Sequence, residues 1–376
     1  MRTLLLLVCS LAVIVPAGAQ APRTRVSIDG DRWLINGRVT YPGAAAEGRL
    51  MNVRVVNAVF EDDQPHDAWP AVLPATFDPD ANTDLFIRRL PDYVAAGVLG
   101  FTVGLQGGSP DYEGAHNSAF NADGSLRPGY LARVARVVDA ADRHGAVVIL
   151  GLFYQRQHGR APTHLPRALA GRDAIRAAAV NAVRWVRERG WTNVVVEIAN
   201  EYAHTGFANW NDGAWLRSPE GQVELIALAR STHPSLLVST SGMGSAVIDA
   251  RIAAAADVIL LHANNTPLEA YASRIGDARR HGKPVVINED DKVGADGAEA
   301  ARRAVDAGAG WGLMHKAVNQ YAPFAFHGPE DDVETYRMIA RLTGSRAPGP
   351  TPDAAERPVD RVAVGVPAYV HTIGTP

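Results

Sequence analysis

Apolar runs and amphipathic stretches alternate along the middle of the chain, and the alternation predicts the fold. The first strand-like run is Asn52–Val59, followed by helical spacing over Leu85–Ala96. The pairs continue as Val98–Leu105 with Tyr130–His144, Ala146–Phe153 with Ala174–Arg189, and Asn193–Ala199 with Gly221–Thr232. Four more follow: Ser235–Thr240 with Ser245–Ala255, Asp257–His262 with Pro267–His281, Pro284–Asn288 with Asp296–Gly308, and Trp311–His315 with Val333–Leu342. Strand runs that are largely apolar, separated by helices, imply a parallel sheet with helices packed on its outer face. Gly97, Gly145, Gly190, Gly282 and Gly308 stand where those helices should stop. Eight strand–helix units in strict alternation predict an α/β fold, the (β/α)8 TIM barrel. An open doubly wound sheet would need a G-x-G-x-x-G turn after a strand, and the sequence has none.

The flanks read differently. Arg25–Ile28 and Trp33–Ile35 surround Asp29-Gly30-Asp31, and the Asp-Gly pair favours a tight turn, so a short N-terminal β-hairpin is expected to cap the barrel's lower end. Arg2, the apolar run Leu4–Val15, Pro16 and Ala17-Gly18-Ala19 form the three parts of a secretory signal peptide, with cleavage expected after Ala19. The run is shorter than the roughly 20 residues of a bilayer span. Prolines 348, 350, 352, 358, 367 and 376 predict an extended tail. The expected organisation is a signal peptide over 1–19, one barrel domain over 20–345, and a Pro-rich tail over 346–376.

Composition narrows the function. The one cysteine, Cys9, lies in the signal segment, so the mature chain is expected to use neither disulfides nor thiolate chemistry. With 37 Lys and Arg against 40 Asp and Glu, the net charge is −3, and no basic surface invites nucleic acid. Secretion or periplasmic location, no membrane association after cleavage, and a monomer are the expectations.

A barrel carries its active site at the C-terminal ends of its strands. Polar residues predicted there include Asn57 and Glu61-Asp62-Asp63 after the first strand, Gln106 after the second, Tyr154, Gln155 and Arg156 after the third, and Asn200, Glu201 and His204 after the fourth. His262 and Asn264 follow the sixth, Glu289-Asp290-Asp291 the seventh, and His315, Lys316, Asn319 and Gln320 the eighth. Glu201 and Glu289 each directly follow an apolar strand and an asparagine. Two carboxyls facing each other across a mouth suit glycoside cleavage, in which one protonates the leaving oxygen and the other attacks or activates water. Trp69, Trp210 and Trp215 fall in predicted loops, where a ring either stacks on a sugar or packs beneath the loop. His204 and His262 lack the spacing of a metal motif, so no metal and no cofactor are expected.

Ile198-Ala199-Asn200-Glu201, Pro284-Val285-Val286-Ile287-Asn288-Glu289 and Trp33-Leu34-Ile35-Asn36-Gly37 together resemble motifs of the clan-A glycoside hydrolases, the cellulase-like barrels related to glycoside hydrolase family 5. The resemblance spans roughly residues 25–343. It implies a retaining hydrolase acting on a carbohydrate, with Glu201 as acid/base, Glu289 as nucleophile, Asn200 on the sugar 2-hydroxyl and His262 lining the site. Tyr154, Gln106, Asn57 and Trp210 complete the expected substrate contacts. The chain departs from the pattern in three places. Gln106 stands where strand two usually ends near an arginine, Phe153 and Tyr154 where strand three often ends in histidine, and Gly312-Leu313-Met314-His315 where strand eight often carries tryptophan. These departures keep open a catalytically silent, carbohydrate-binding barrel, and Lys316 keeps open a lysine-based lyase or isomerase.

Overall fold

A computed structural model describes residues 23–62, 73, 76–108, 115–157, 168–321 and 324–347. The expected signal peptide, Asp63, Trp69 and nearly all of the Pro-rich tail lie outside the described residues. Eight parallel strands are present: β1 (Asn52–Arg54), β2 (Gly100–Gly104), β3 (Val147–Tyr154), β4 (Val194–Asn200), β5 (Leu237–Ser239), β6 (Ile259–His262), β7 (Val285–Asp290) and β8 (Gly310–Leu313). Each pairs with its neighbours in chain order, β8 pairs with β1, and a single parallel bridge between Ser241 and Leu260 joins β5 to β6. The sheet is a (β/α)8 barrel.

Eight helices cover it: α1 (Pro79–Ala95), α2 (Pro128–Arg143), α3 (Arg172–Arg189), α4 (Pro219–Thr232), α5 (Ala250–Ala255), α6 (Tyr271–Arg279), α7 (Gly294–Asp306) and α8 (Val333–Thr343). Helix α1 begins six residues earlier than its apolar spacing predicts. The Asp78 carboxylate accepts from the backbone N–H groups of Asp80 and Ala81, and Pro79 presets the first turn. Strand β1 is shorter than its apolar run, because Val56–Val59 coils into a 3-10 turn.

The expected hairpin is a three-stranded antiparallel ribbon, Val26–Asp29, Arg32–Ile35 and Arg38–Val39. Its second turn is Asn36-Gly37, both at positive φ (53° and 76°), the geometry of a two-residue hairpin loop. The ribbon turns Trp33 into the bottom of the barrel, where the ring is 1% exposed and packs with Leu50, Val147, Ile149, Val195, Val258, Leu260 and Val286. The outward residues of the same strands join the helices in the main core, among them Val53, Phe101, Val148, Val196, Leu261 and Ile287. That double burial accounts for apolar runs without polar alternation.

Strand β7 departs from regular pairing at the level of the mouth. Leu261 pairs with Ile287 but His262 pairs with Glu289, while Ile287 pairs with Trp311 and Asp290 with Leu313. Strand β7 therefore carries one extra residue, a β-bulge at Asn288–Glu289, and a bulge re-aims side chains. Val286 points into the barrel, and in a regular strand Asp290 would share its face. Instead Asp290 points outward, accepting from Tyr271 Oη and from Trp311 Nε1 at 2.8 Å. Glu289 takes the inward place.

Candidate active site

Glu289 is 5% exposed and held by three elements. Arg54, the last residue of β1, sets Nε 3.0 Å from Oε2 as a buried ion pair. Asn264, two residues beyond β6, donates Nδ2–H to Oε1 at 2.7 Å. His262 Nδ1 lies 3.5 Å from Oε2. Burial by itself would raise the carboxyl's pKa. Arg54 foremost, then His262, the Asn264 hydrogen bond and Lys316, outweigh it and hold the group below the usual glutamate value. Glu289 is thus an ionised carboxylate in a nearly dry site.

Glu201 closes β4 in the left-handed backbone region, at φ 51°. A side chain there costs on the order of 1–3 kcal/mol and persists where its surroundings fix it. Here Glu201 N–H donates to Ser241 Oγ at 3.0 Å, and its carbonyl accepts from His204 N–H at 2.7 Å. Gln155 donates Nε2–H to Glu201 Oε2 at 3.2 Å, and its own Oε1 accepts from Asn200 Nδ2 at 3.0 Å. Asn200, Gln155 and Glu201 therefore form one chain of side chains along the mouth. His204 faces the same carboxyl. Its pKa is lowered chiefly by burial, and its Nδ1 accepts from Gly206 N–H at 2.9 Å.

His262 stands between the two glutamates and is fully buried. Nδ1 is 3.6 Å from Glu201 Oε1 and 3.5 Å from Glu289 Oε2, while Nε2 is 3.8 Å from Glu197 Oε1. These separations exceed hydrogen-bond length, so charge attraction is the main link. Burial would lower the imidazole's pKa, but Glu289, Glu197 and Glu201 together raise it to about 10. The ring carries a proton at neutral pH. One ligand-capable atom each from Glu201, His262 and Glu289 lie within 4.8 Å of one another. Arg54 and the protonated His262 supply positive charge beside Glu289.

The other expected contacts separate into two groups. Asn200 and Tyr154 border a small cavity of about 10 Å3 beneath the carboxyls, together with Arg54, Thr102 and Glu197. That is room for about one water. Three of the expected contacts are engaged within the protein. Gln106 borders the same cavity, but both ends of its amide are engaged within the protein: Nε2 donates to Ser118 Oγ at 3.2 Å, and Oε1 accepts from Tyr154 N–H at 3.1 Å. Asn57 is fully buried in the turn after β1 and donates to the Val318 carbonyl at 2.8 Å, tying that turn to the segment after β8. Trp210 is 4% exposed and packs edge-on against Phe153 and Phe207, with centroids at 6.0 and 5.1 Å, so it supports a loop from beneath. Trp215 likewise stacks on Arg172. Glu61 is also no solvated loop residue: it pairs with Arg127 at 2.6 Å and with Arg133. Lys316 is paired with Asp291 at 2.5 Å, which leaves little support for a lysine base. A surface cavity of about 350 Å3 lies away from these groups, between α1 and the turn at 328–331.

Arg54 and Glu197 are site residues outside the predicted strand ends, while Gln155 and Asn264 stood among those ends without an assigned role. The arginine missing from β2 is supplied by β1, so the departure at Gln106 still leaves Glu289 with an arginine partner. A signal for Arg54 was present: a charged residue inside the apolar run 52–59 is costly to bury without a partner.

No protein-family model matches this chain, and no curated protein does. Solved structures do. An exo-β-1,4-mannosidase from Opitutaceae bacterium strain TAV5 superimposes with a TM-score of 0.54 at 14% identity, over 85% of this chain and 62% of that one. A broad-specificity GH5-4 endoglucanase from Clostridium longisporum gives 0.52 at 11% identity, over 82% and 99%. The endo-β-mannanase/endo-β-glucanase of Prevotella bryantii gives 0.51 at 9% identity, over 80% and 50%. The chain thus spans less than two thirds of the mannosidase and half of the Prevotella chain. It has the cellulase-like barrel fold of these clan-A glycoside hydrolase structures.

Proposed function

We propose that the protein is a retaining glycoside hydrolase acting on a poly- or oligosaccharide. The observation that carries this reading is that a carboxyl oxygen of Glu201 and one of Glu289 lie within 4.8 Å of each other at the barrel mouth. Retaining enzymes set their carboxyls about 5–5.5 Å apart, whereas inverting enzymes leave about 6.5–9.5 Å for a water. The fold shared with mannosidase and endoglucanase structures adds support.

The roles follow from the surroundings. Glu289, ionised against Arg54, attacks the anomeric carbon as the glycosidic C–O bond breaks, and Glu201 gives its proton to the departing oxygen. In the second step Glu201 takes a proton from water, the water oxygen attacks the same carbon, and the ester bond to Glu289 breaks. The reaction requires Glu201 to enter protonated. In this reading Asn200 contacts the 2-hydroxyl. Residues 1–19 support export, secreted or periplasmic, and the protein is expected to act as a monomer without a metal.

The test is hydrolysis of a panel of plant, algal and bacterial polysaccharides by purified protein, with products read by mass and the first-formed anomer by NMR. Release of oligosaccharides with retained configuration is expected. An inverted first product overturns retention. Saturable glycan binding with no product overturns hydrolysis in favour of a binding barrel.

A further inference from the structure

We propose that Glu197 is a positioning residue of this site: from inside the barrel, it holds the His262 ring with Nδ1 turned to the gap between Glu201 and Glu289. The inference rests on the functional reading above and assigns a residue which that mechanism leaves unused.

Glu197 sits on β4, four residues before Glu201 and on the same inward face as Val195. It is fully buried, and neither carboxyl oxygen has a hydrogen-bond partner among the described residues. An unpaired buried carboxyl is costly, and a valine or leucine would fill a barrel interior at less expense. Across the sheet its strand partner is Gly151, which sets no side chain beside Glu197 Oε2. Its cationic neighbours are His262, whose Nε2 is 3.8 Å from Oε1, and Arg54, which borders the same small cavity and whose charge also acts on it. With Nε2 drawn down to Glu197, Nδ1 must face up, and there it meets both catalytic carboxyls at 3.5–3.6 Å. Glu197 thus sets which nitrogen faces the reaction and helps keep the ring charged.

The other charged groups around the ring are Glu201 at the end of β4 and Glu289 on β7. Arg54 of β1 and Lys316 after β8 act on Glu289 from behind, and Tyr154 of β3 lies beside Arg54. None of these contacts Nε2 in place of Glu197 among the described ion pairs.

The experiment follows the side-chain nitrogens of His262 by NMR through a pH titration, with kcat and KM measured alongside, in wild type, Glu197→Gln and Val195→Ala. Val195 shares the strand and inward face but lies one layer lower, so its truncation tests for a merely structural effect. In Glu197→Gln the His262 midpoint is expected to fall by about 1 pH unit or more. Its kcat is expected to fall roughly tenfold to a hundredfold, with KM within about twofold. Val195→Ala should lose stability and keep the midpoint. Glu197→Met fills the same volume without a carboxyl and should reproduce the shift if the glutamine variant folds poorly. A midpoint unchanged in both Glu197 variants, or moved as far in Val195→Ala, overturns the proposal. If wild type hydrolyses no glycoside, the functional reading falls, while the titration still decides the role of Glu197.

Discussion

The interior of the barrel has two halves built by the same strands, and they obey opposite rules. In the lower half, Leu50, Val147, Ile149, Val195, Val258, Leu260 and Val286 close around Trp33. In the upper half, Arg54, Glu197, His262 and Glu289 are nearly as buried, and every one is ionisable. The lower half contributes burial energy, roughly 25 cal/mol per Å2 of apolar surface. The upper half holds charges out of water, which costs stability unless each is paired. A step of two residues along one strand, from Val195 to Glu197 or from Leu260 to His262, separates packing from chemistry. The difference shows that the lower half supplies the rigidity on which the upper half's strained and desolvated groups depend.

The largest test of this division falls on the upper half. Glu289→Gln should lower kcat by about 10^4-fold or more while the protein stays folded. Equal loss of fold and activity would show that the upper half also carries stability. Next is Arg54→Met. It leaves Glu289 buried without its main counter-charge, so unfolding free energy should fall by about 3–5 kcal/mol in denaturant titration. The same change should move the acid limb of the pH–rate profile to higher pH, because the group that lowers the Glu289 pKa is gone. An unmoved limb would mean that Glu289 does not set it.

In the lower half, Leu260→Ala should cost about 2–5 kcal/mol, with kcat per folded molecule unchanged. A fall in kcat larger than tenfold would break the separation between the halves. The smallest effect concerns the backbone. With Glu201 at φ 51°, Glu201→Gly should be about 1 kcal/mol more stable than Glu201→Ala in thermal unfolding, since glycine adopts that conformation without strain. Equal stabilities would mean that the turn relaxes when the carboxyl is removed.

Much of this was legible in the sequence. Helix and strand types follow from spacing, and the eightfold alternation leaves few topologies open. Glu201 and Glu289 were legible because each ends an apolar strand, and fold geometry places strand ends at one mouth. The helix start at Pro79 is set by the Asp78 cap, which lies outside the apolar spacing. Asn57 and Trp210 were expected on a sugar, but packing beneath the loops buries them. Arg54, Gln155, Asn264 and Glu197 escaped assignment because their partners lie far off in the chain: Arg54 meets Glu289 across 235 positions of sequence.

The sequence by itself determined the barrel, its capping ribbon and the two glutamates, because periodicity and strand-end position are local properties. The tertiary structure alone decided which groups face each other. The extra residue in β7 turned Glu289 inward, barrel closure brought Arg54 of β1 against it, and His262 of β6 came to lie between three carboxyls. Those outcomes depend on register and on distances across the barrel, and pairwise electrostatics in a dry interior changes with every ångström.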